Sequence, residues 1–256
     1  ALLVMLLLVA RAAPLSRCPL PRAGIVAVRW PTEEALSQVG TVWYYIYSFE
    51  GPVLADHHRV FLVPSHYSED RLLPVLRAHA GAWWMVGNEP NDPYQDHMTP
   101  TAYAAFYHRF VRLAERQCAD CRIMPAGIAN ADWEWADAFR ESYRQQFGRY
   151  PRVDAWNVHD YVLDADLNQL DLEVFKNRIL AFRAWMERIG EGDKALVLSE
   201  FGVLMGRETY DPRYVPPEDV VTYIHDTVGW LAGTDNVQSW AWFANHTQGL
   251  FNGDLY

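Results

Sequence analysis

Short apolar runs alternate with longer amphipathic stretches along this chain, and that alternation constrains its fold more than any other feature. Eight runs read as strands: 24–28, 42–47, 60–64, 83–87, 122–126, 153–159, 195–198 and 237–242. Runs this short, bounded by Gly, Pro and polar residues, fit strands buried on both faces. Stretches with helical spacing lie between most of them, at 31–39, 68–80, 100–117, 133–147, 172–189 and 217–232. Ser68-Glu69-Asp70 puts acids at the positive end of one helix dipole, and Thr99-Pro100 supplies an N-cap and a first-turn proline for the next. Strand–helix alternation predicts a parallel α/β fold. Eight units predict a compact (β/α)8 TIM barrel, with an open doubly wound sheet as the alternative. Only residues 48–59 separate the second and third strands, which abbreviates the second unit, and the short stretch after the eighth strand makes an incomplete last helix the expectation.

Two of the runs stop at a carboxylate. Trp83-Trp84-Met85-Val86-Gly87 leads into Asn88-Glu89-Pro90, and Ala195-Leu196-Val197-Leu198 leads into Ser199-Glu200-Phe201-Gly202. Pro90 removes a backbone donor and disfavours helix at Glu89, so the chain leaves the strand there. A Glu in this position is poorly placed for packing, because taking its charge out of water costs several kcal/mol or more unless it is paired. One such Glu could equally cap a helix or pair with a surface Arg. Two on runs of the same form point to chemistry, since barrel strands deliver their carboxyl ends to one catalytic face. Glycoside hydrolysis needs two carboxyl groups across a cleft, one to protonate the leaving oxygen and one to attack or to activate water.

The other strand ends carry Tyr47, Ser48, Ser65, His66, Asn130, His159, Tyr161, Trp240 and Trp242. Asn88, His159, Tyr161, Tyr47, Trp240 and Trp242 form the candidate substrate-binding set beside catalytic Glu89 and Glu200. Asn88 would bind a sugar 2-hydroxyl, or else simply form a turn. His159 and Tyr161 could instead hold the nucleophile by hydrogen bonds. Trp240 and Trp242 fall on one face of a strand, where they either stack on sugar or fill the core. Tyr45 and Tyr47 read mainly as barrel filling.

The net charge of −10, with no basic run, argues against a nucleic-acid partner and against an anionic membrane surface. Neither G-x-G-x-x-G nor G-x-x-x-x-G-K occurs, so the common nucleotide cradles are absent. Asp56-His57-His58 reads as a solvated loop, and the first strand has no His pair, so no metal or other cofactor is expected. Residues 2–9 are an unbroken apolar run followed by Ala10-Arg11-Ala12-Ala13, the pattern of an export signal and too short for a span of ~20 residues. Residues 1–23 are therefore expected to be a leader and linker, residues 24–256 the catalytic barrel, and the protein secreted or at the cell surface, with a surface anchor as the one further membrane contact. Cys118 and Cys121 could close a small disulfide, with Cys18 left over.

Gly-Asn-Glu-Pro at the fourth strand, Val-His-Asp-Tyr at the sixth, Leu-Ser-Glu-Phe-Gly at the seventh and Trp-Ala-Trp at the eighth resemble clan A glycoside hydrolases. Trp43-Tyr44-Tyr45, Phe61-Leu62-Val63-Pro64 and Met98-Thr99-Pro100 narrow the resemblance to the small barrels of the Asl1-like glycosyl hydrolase catalytic core, which include endo-β-1,3-glucanases. The resemblance spans roughly residues 24 to 242. It implies that Glu89 is the acid/base and Glu200 the nucleophile of a retaining hydrolase acting on a β-linked polysaccharide or oligosaccharide. The resemblance implies endo-acting cleavage of β-1,3-glucan first; because those barrels usually read His-Trp-Tyr at the sixth strand, where this chain has Asp160, mannan, xylan and galactan stay as alternatives. A secreted glycan-binding barrel without turnover is the alternative from another class.

Overall fold

The computed structural model describes residues 20–118, 120–164, 168–247 and 251–255. The leader-like run at 2–9 and Cys18 lie outside them. Each apolar run forms a strand: β1 (Ala23–Val26), β2 (Trp43–Ile46), β3 (His58–Val63), β4 (Trp83–Val86), β5 (Arg122–Pro125), β6 (Ala155–Asp160), β7 (Ala195–Phe201) and β8 (Ser239–Phe243). All pairings are parallel, and the strand order is β5-β4-β3-β2-β1-β8-β7-β6. The circle closes between β5 and β6 through the Ile128–Val158 bridge and the Asp154 N–H to Ile123 carbonyl bond of 2.8 Å. The predicted barrel is therefore the observed one.

Six α-helices among the described residues wrap it: α1 (Glu33–Gln38), α2 (Glu69–Ala78), α3 (Pro100–Gln117), α4 (Trp133–Phe147), α5 (Leu172–Arg188) and α6 (Pro217–Gly233). Thr99 caps α3 as its sequence signal predicts, accepting from the Ala102 N–H at 3.2 Å. No helix joins β2 to β3 or follows β8 among the described residues. A buried arginine replaces the missing β2–β3 helix. Arg59 donates to the carbonyls of Ser48, Glu50, Gly51 and Pro52 at 2.5–3.1 Å, so one guanidinium fork satisfies a loop's backbone acceptors. His57 departs from the expectation of a solvated loop. It is 8% exposed, and its Nδ1 lies 2.5 Å from Glu33 of α1.

Alternation along each strand divides the core in two. Trp43, Tyr45, Leu62, Met85, Val197 and Ala241 fill the barrel interior. Phe61, Trp84, Trp156, Leu198, Trp240 and Trp242 pack outward against the helices. The period of two thus decides which strand-end side chains reach the interior. Cys118 and Cys121 are joined as a disulfide just after α3.

Candidate active site

Glu89 follows β4 in a left-handed backbone conformation, φ +42°, after Gly87 at φ +90°. Positive φ on a non-glycine residue costs on the order of 1–3 kcal/mol and persists only where surrounding contacts hold it. Here the Glu89 N–H donates to the Gly127 carbonyl at 3.2 Å. Asn91 then exchanges two bonds with Ala129, donating through Nδ2 at 3.0 Å and accepting from its N–H at 2.9 Å. These ties fix the loop after β4 against the loop after β5 and turn Glu89 inward, 8% exposed.

Glu200 reaches the same point from β7 by a bulge. Val158 pairs with Leu198 and His159 with Glu200, leaving Ser199 as the extra residue. Strict alternation would put Ser199 and Glu200 on opposite faces. The extra residue re-aims the strand so that both contact interior groups while Phe201 packs outward. One oxygen of Glu89, one of Glu200 and one ring nitrogen of His159 lie within 4.8 Å of one another.

His159 joins the two carboxylates. Its Nδ1 is 2.8 Å from Glu89 Oε1 and 3.5 Å from Glu200 Oε2, and its Nε2 is 2.9 Å from Ser199 Oγ. Burial acts to lower the His159 pKa, but the Glu200 charge and the bond to Glu89 outweigh it, and the ring sits above its ordinary value. Burial raises the Glu89 pKa most. The His159 hydrogen bond opposes that rise, the Glu200 charge adds to it, and the net shift is upward. Gly127 makes room for the imidazole, because a Cβ there would fall 1.9 Å from His159 Nε2.

Three phenols hold Glu200. Tyr45 and Tyr47 donate to Oε1, Tyr47 at 2.7 Å, and Tyr161 donates to Oε2 at 2.8 Å. Burial and then the Glu200 charge push all three hydroxyls far above the usual phenol range, so they remain donors. Tyr47 as a residue is 40% exposed, although its hydroxyl donates inward to Glu200. The arrangement pairs a buried carboxyl of raised pKa with a carboxylate held by neutral donors, the division of labour that acid-plus-nucleophile chemistry uses.

The expected residues fall into three groups. Glu89 and Glu200 meet. His159, 0% exposed, and Tyr161, 7% exposed, are expected in the substrate-binding set; both are buried and hydrogen-bonded to the carboxylates. Tyr47 is both a carboxylate donor and a rim residue. Asn88 is half-buried, with its Nδ2 donating to Gln95 at 3.2 Å and its Oδ1 buried without a partner among the described residues. Trp240 and Trp242 correct the expectation of sugar platforms. Each is 5% exposed on the helix side of β8, where Trp240 packs under Arg22 and Trp242 donates from Nε1 to the Gly253 carbonyl at 2.6 Å. The strand-eight aromatic facing the interior is Phe243, 6.1 Å from Tyr161. Tyr45, Ser199, Gly127 and Phe243 join the site without a sequence signal of their own, apart from the Tyr45/Tyr47 spacing of two, which puts both on one face.

The sequence model described as glycosyl hydrolase catalytic core matches residues 26–255. Among curated proteins nothing matches the chain. Several solved structures share its fold. An endo-β-1,3-glucanase of GH128 subgroup II from Sorangium cellulosum is 16% identical, with 91% of each chain covered and a TM-score of 0.68. A subgroup I endo-β-1,3-glucanase from Amycolatopsis mediterranei, in complex with laminaritriose, is 19% identical over 88% of this chain and 89% of that one, with a TM-score of 0.65. A curdlan-specific exo-β-1,3-glucanase of subgroup III from Blastomyces gilchristii is 17% identical over 91% of this chain and 94% of that one, with a TM-score of 0.66.

Proposed function

The chain belongs to the glycosyl hydrolase catalytic core family, and we propose that it is a retaining, endo-acting β-1,3-glucan hydrolase. The observation that carries the mechanism is the Glu89–Glu200 approach, oxygen to oxygen within 4.8 Å. Retaining glycosidases hold their carboxyl groups roughly 5–5.5 Å apart, whereas inverting ones leave roughly 6.5–9.5 Å for a water molecule. The glucan assignment is supported by solved barrels of the same fold that are named β-1,3-glucanases, one of them in complex with laminaritriose.

In the first step a Glu200 oxygen bonds to the anomeric carbon and the glycosidic C–O bond breaks. The Glu89 proton passes to the departing oxygen, leaving a glycosyl ester on Glu200. In the second step Glu89, now a carboxylate, takes a proton from water. The hydroxide oxygen attacks the anomeric carbon and Glu200 leaves with its electron pair. Two inversions restore the β configuration. Tyr45, Tyr47 and Tyr161 hold Glu200 on line, while His159 orients Glu89 and moderates its charge. Asn88 supplies the contact to the sugar 2-hydroxyl. An extracellular site of action belongs to the same proposal, supported by the apolar run at 2–9 and by a disulfide of the kind that persists in oxidising compartments.

The test is reducing-end release from laminarin, curdlan, mannan, xylan and galactan by wild type beside Glu200→Ala, with the first-formed anomer read by NMR. Release from β-1,3-glucan as the β anomer, lost in the variant, is the expected result. Release from another polymer alone overturns the substrate. The α anomer overturns double displacement, and no release from any polymer by a folded protein points to glycan binding without turnover.

A further inference from the structure

The family resemblance leads one to expect an aromatic residue at position 160, and the chain has an aspartate. That aspartate does not face the cleft. His159 points inward, so Asp160 points outward into the layer between β6 and α5, where it is 1% exposed. A carboxylate there needs a partner, because an unpaired buried charge is costly. Its partner is Arg178, on the inner side of α5. Arg178 Nη1 donates to Asp160 Oδ1 at 3.3 Å and to the Tyr161 carbonyl at 3.1 Å. Its Nη2 donates to Asp164 in the following loop. The same Tyr161 carbonyl accepts the Leu163 N–H at 3.0 Å.

Tyr161 is where this outward network meets the inward one. Its backbone carbonyl is held by Arg178, and its hydroxyl donates to Glu200 Oε2 at 2.8 Å. It follows β6 directly, so ladder bonds fix it less than they fix a mid-strand residue. A guanidinium fork bridging two carboxylates and one carbonyl supplies fixed directions that a flexible point charge cannot. We infer that Arg178, anchored by Asp160 and Asp164, is a positioning residue that acts through Tyr161 to hold the carboxylate of Glu200 in line for attack. The function assigned to Arg178 rests on the hydrolase reading, whereas the contact chain does not.

The anchor is specific to the charges present. Asp160 Oδ2 has no hydrogen-bond partner among the described residues, so the aspartate's one bonded oxygen is the one given to Arg178. Tyr223 of α6 faces the same pocket of charge. Its hydroxyl is raised by burial and then by Asp160 and Asp171, and so stays neutral beside them. Arg178 is thus bonded to both Asp160 and Asp164, and removing it releases these carboxylates and the Tyr161 carbonyl together.

The experiment compares wild type, Arg178→Met, Arg178→Lys, Tyr161→Phe and the Arg178→Met/Tyr161→Phe double variant. Crystal structures and steady-state kinetics on laminarin oligosaccharides are both read. The structure of Arg178→Met is expected to show the Tyr161 hydroxyl out of hydrogen-bond reach of Glu200. Its kcat is expected to fall on the order of ten- to a hundredfold, with KM changed less than about twofold. In the Tyr161→Phe background, Arg178→Met should add little further loss, because both act through one contact. Arg178→Lys, which can reach fewer of the acceptors, should recover part of kcat and serves as the second variant if Arg178→Met does not fold. An unmoved Tyr161–Glu200 contact, or losses that multiply in the double variant, overturn the inference. If wild type hydrolyses no glucan, the hydrolase reading fails by itself, and the crystallographic comparison still decides whether Arg178 places Tyr161.

Discussion

The Nδ1 of His159 sits 2.8 Å from Oε1 of Glu89, a contact between a fully buried ring and a carboxyl that is nearly so. It makes the acid and its neighbour a coupled pair, so the protonation of either depends on the other.

Replacing His159 should move the alkaline limb of kcat/KM. Both the hydrogen bond and the charge of His159 lower the Glu89 pKa, against burial, which raises it. In His159→Leu the lowering influences vanish. Glu89 should keep its proton to higher pH, and the alkaline limb should shift upward while kcat falls. A limb that stays or moves downward would remove Glu89 from the acid role. The stability effect has the opposite trend. A histidine raised in the fold stabilises fully below its unfolded value of about 6.5 and loses that contribution as pH rises through the folded one. The stability gap between wild type and His159→Leu should therefore narrow as pH rises above about 6.5, and should narrow again in strong acid, where the carboxylate partners that raise His159 are protonated, as denaturation midpoints across pH would show.

The two carboxylates should fail differently. Glu89→Ala should slow glucan hydrolysis by about 10²–10⁴-fold, the usual share of general acid catalysis. It should spare an aryl β-glucoside whose leaving group needs no proton, and added azide should restore turnover as the β-glycosyl azide. Glu200→Ala should lose both substrates, and azide should give the α product. Identical behaviour of the two variants would contradict the division of roles.

Trp242 and Phe243, adjacent in sequence, should separate stability from binding. Trp242 packs edge-on against Phe201 at 5.3 Å and lies 5% exposed among helix-facing residues. Trp242→Ala should cost about 3–5 kcal/mol of stability, the range for large aromatic deletions, and leave KM nearly unchanged at a temperature where it is folded. Phe243 is 8% exposed on the interior face beside Tyr161, so Phe243→Ala should cost less stability and raise KM. A raised KM for Trp242→Ala at full folding would return that indole to the sugar-binding surface. The comparison needs only thermal melts and initial rates on one oligosaccharide.

The barrel is legible because strand and helix alternate with little ambiguity, and the meeting of Glu89 and Glu200 because each ends an apolar run. The orientation of β8 was not. Ser239-Trp240-Ala241-Trp242-Phe243 is apolar on both faces. Alternation then says that the two indoles share a side but not which side. The bulge at Ser199 was hidden for a related reason. Leu-Ser-Glu-Phe read at a strict period of two gives no sign that one residue stands outside the ladder. Arg59 and Arg178 escaped notice because arginines on a strand and on an amphipathic helix read as surface charge. Only the tertiary fold brings the carbonyls of a loop or the Tyr161 backbone within their reach.

Gly127 offers the most local test of the site. It has no unusual φ, so the need for glycine comes from space alone. A methyl group there would lie 1.9 Å from Nε2 and 2.0 Å from Cδ2 of His159. The imidazole cannot slide away easily, because its two nitrogens are tied to Glu89 and Ser199 on opposite sides. The Gly127 carbonyl also accepts the Glu89 N–H, so a shift of the backbone instead of the ring would move the acid itself. Either response breaks the acid–imidazole geometry. Gly127→Ala should therefore reduce kcat by on the order of a hundredfold, the scale of loss for a displacement of about 1 Å at a reacting group. Its crystal structure should show His159 or Glu89 displaced. The double variant Gly127→Ala/His159→Ala, in which the methyl meets no ring, should be no worse than His159→Ala alone. A Gly127→Ala variant with wild-type kcat would mean that the imidazole has freedom the packing around it denies, and would sink the account of His159 as the fixed partner of the acid.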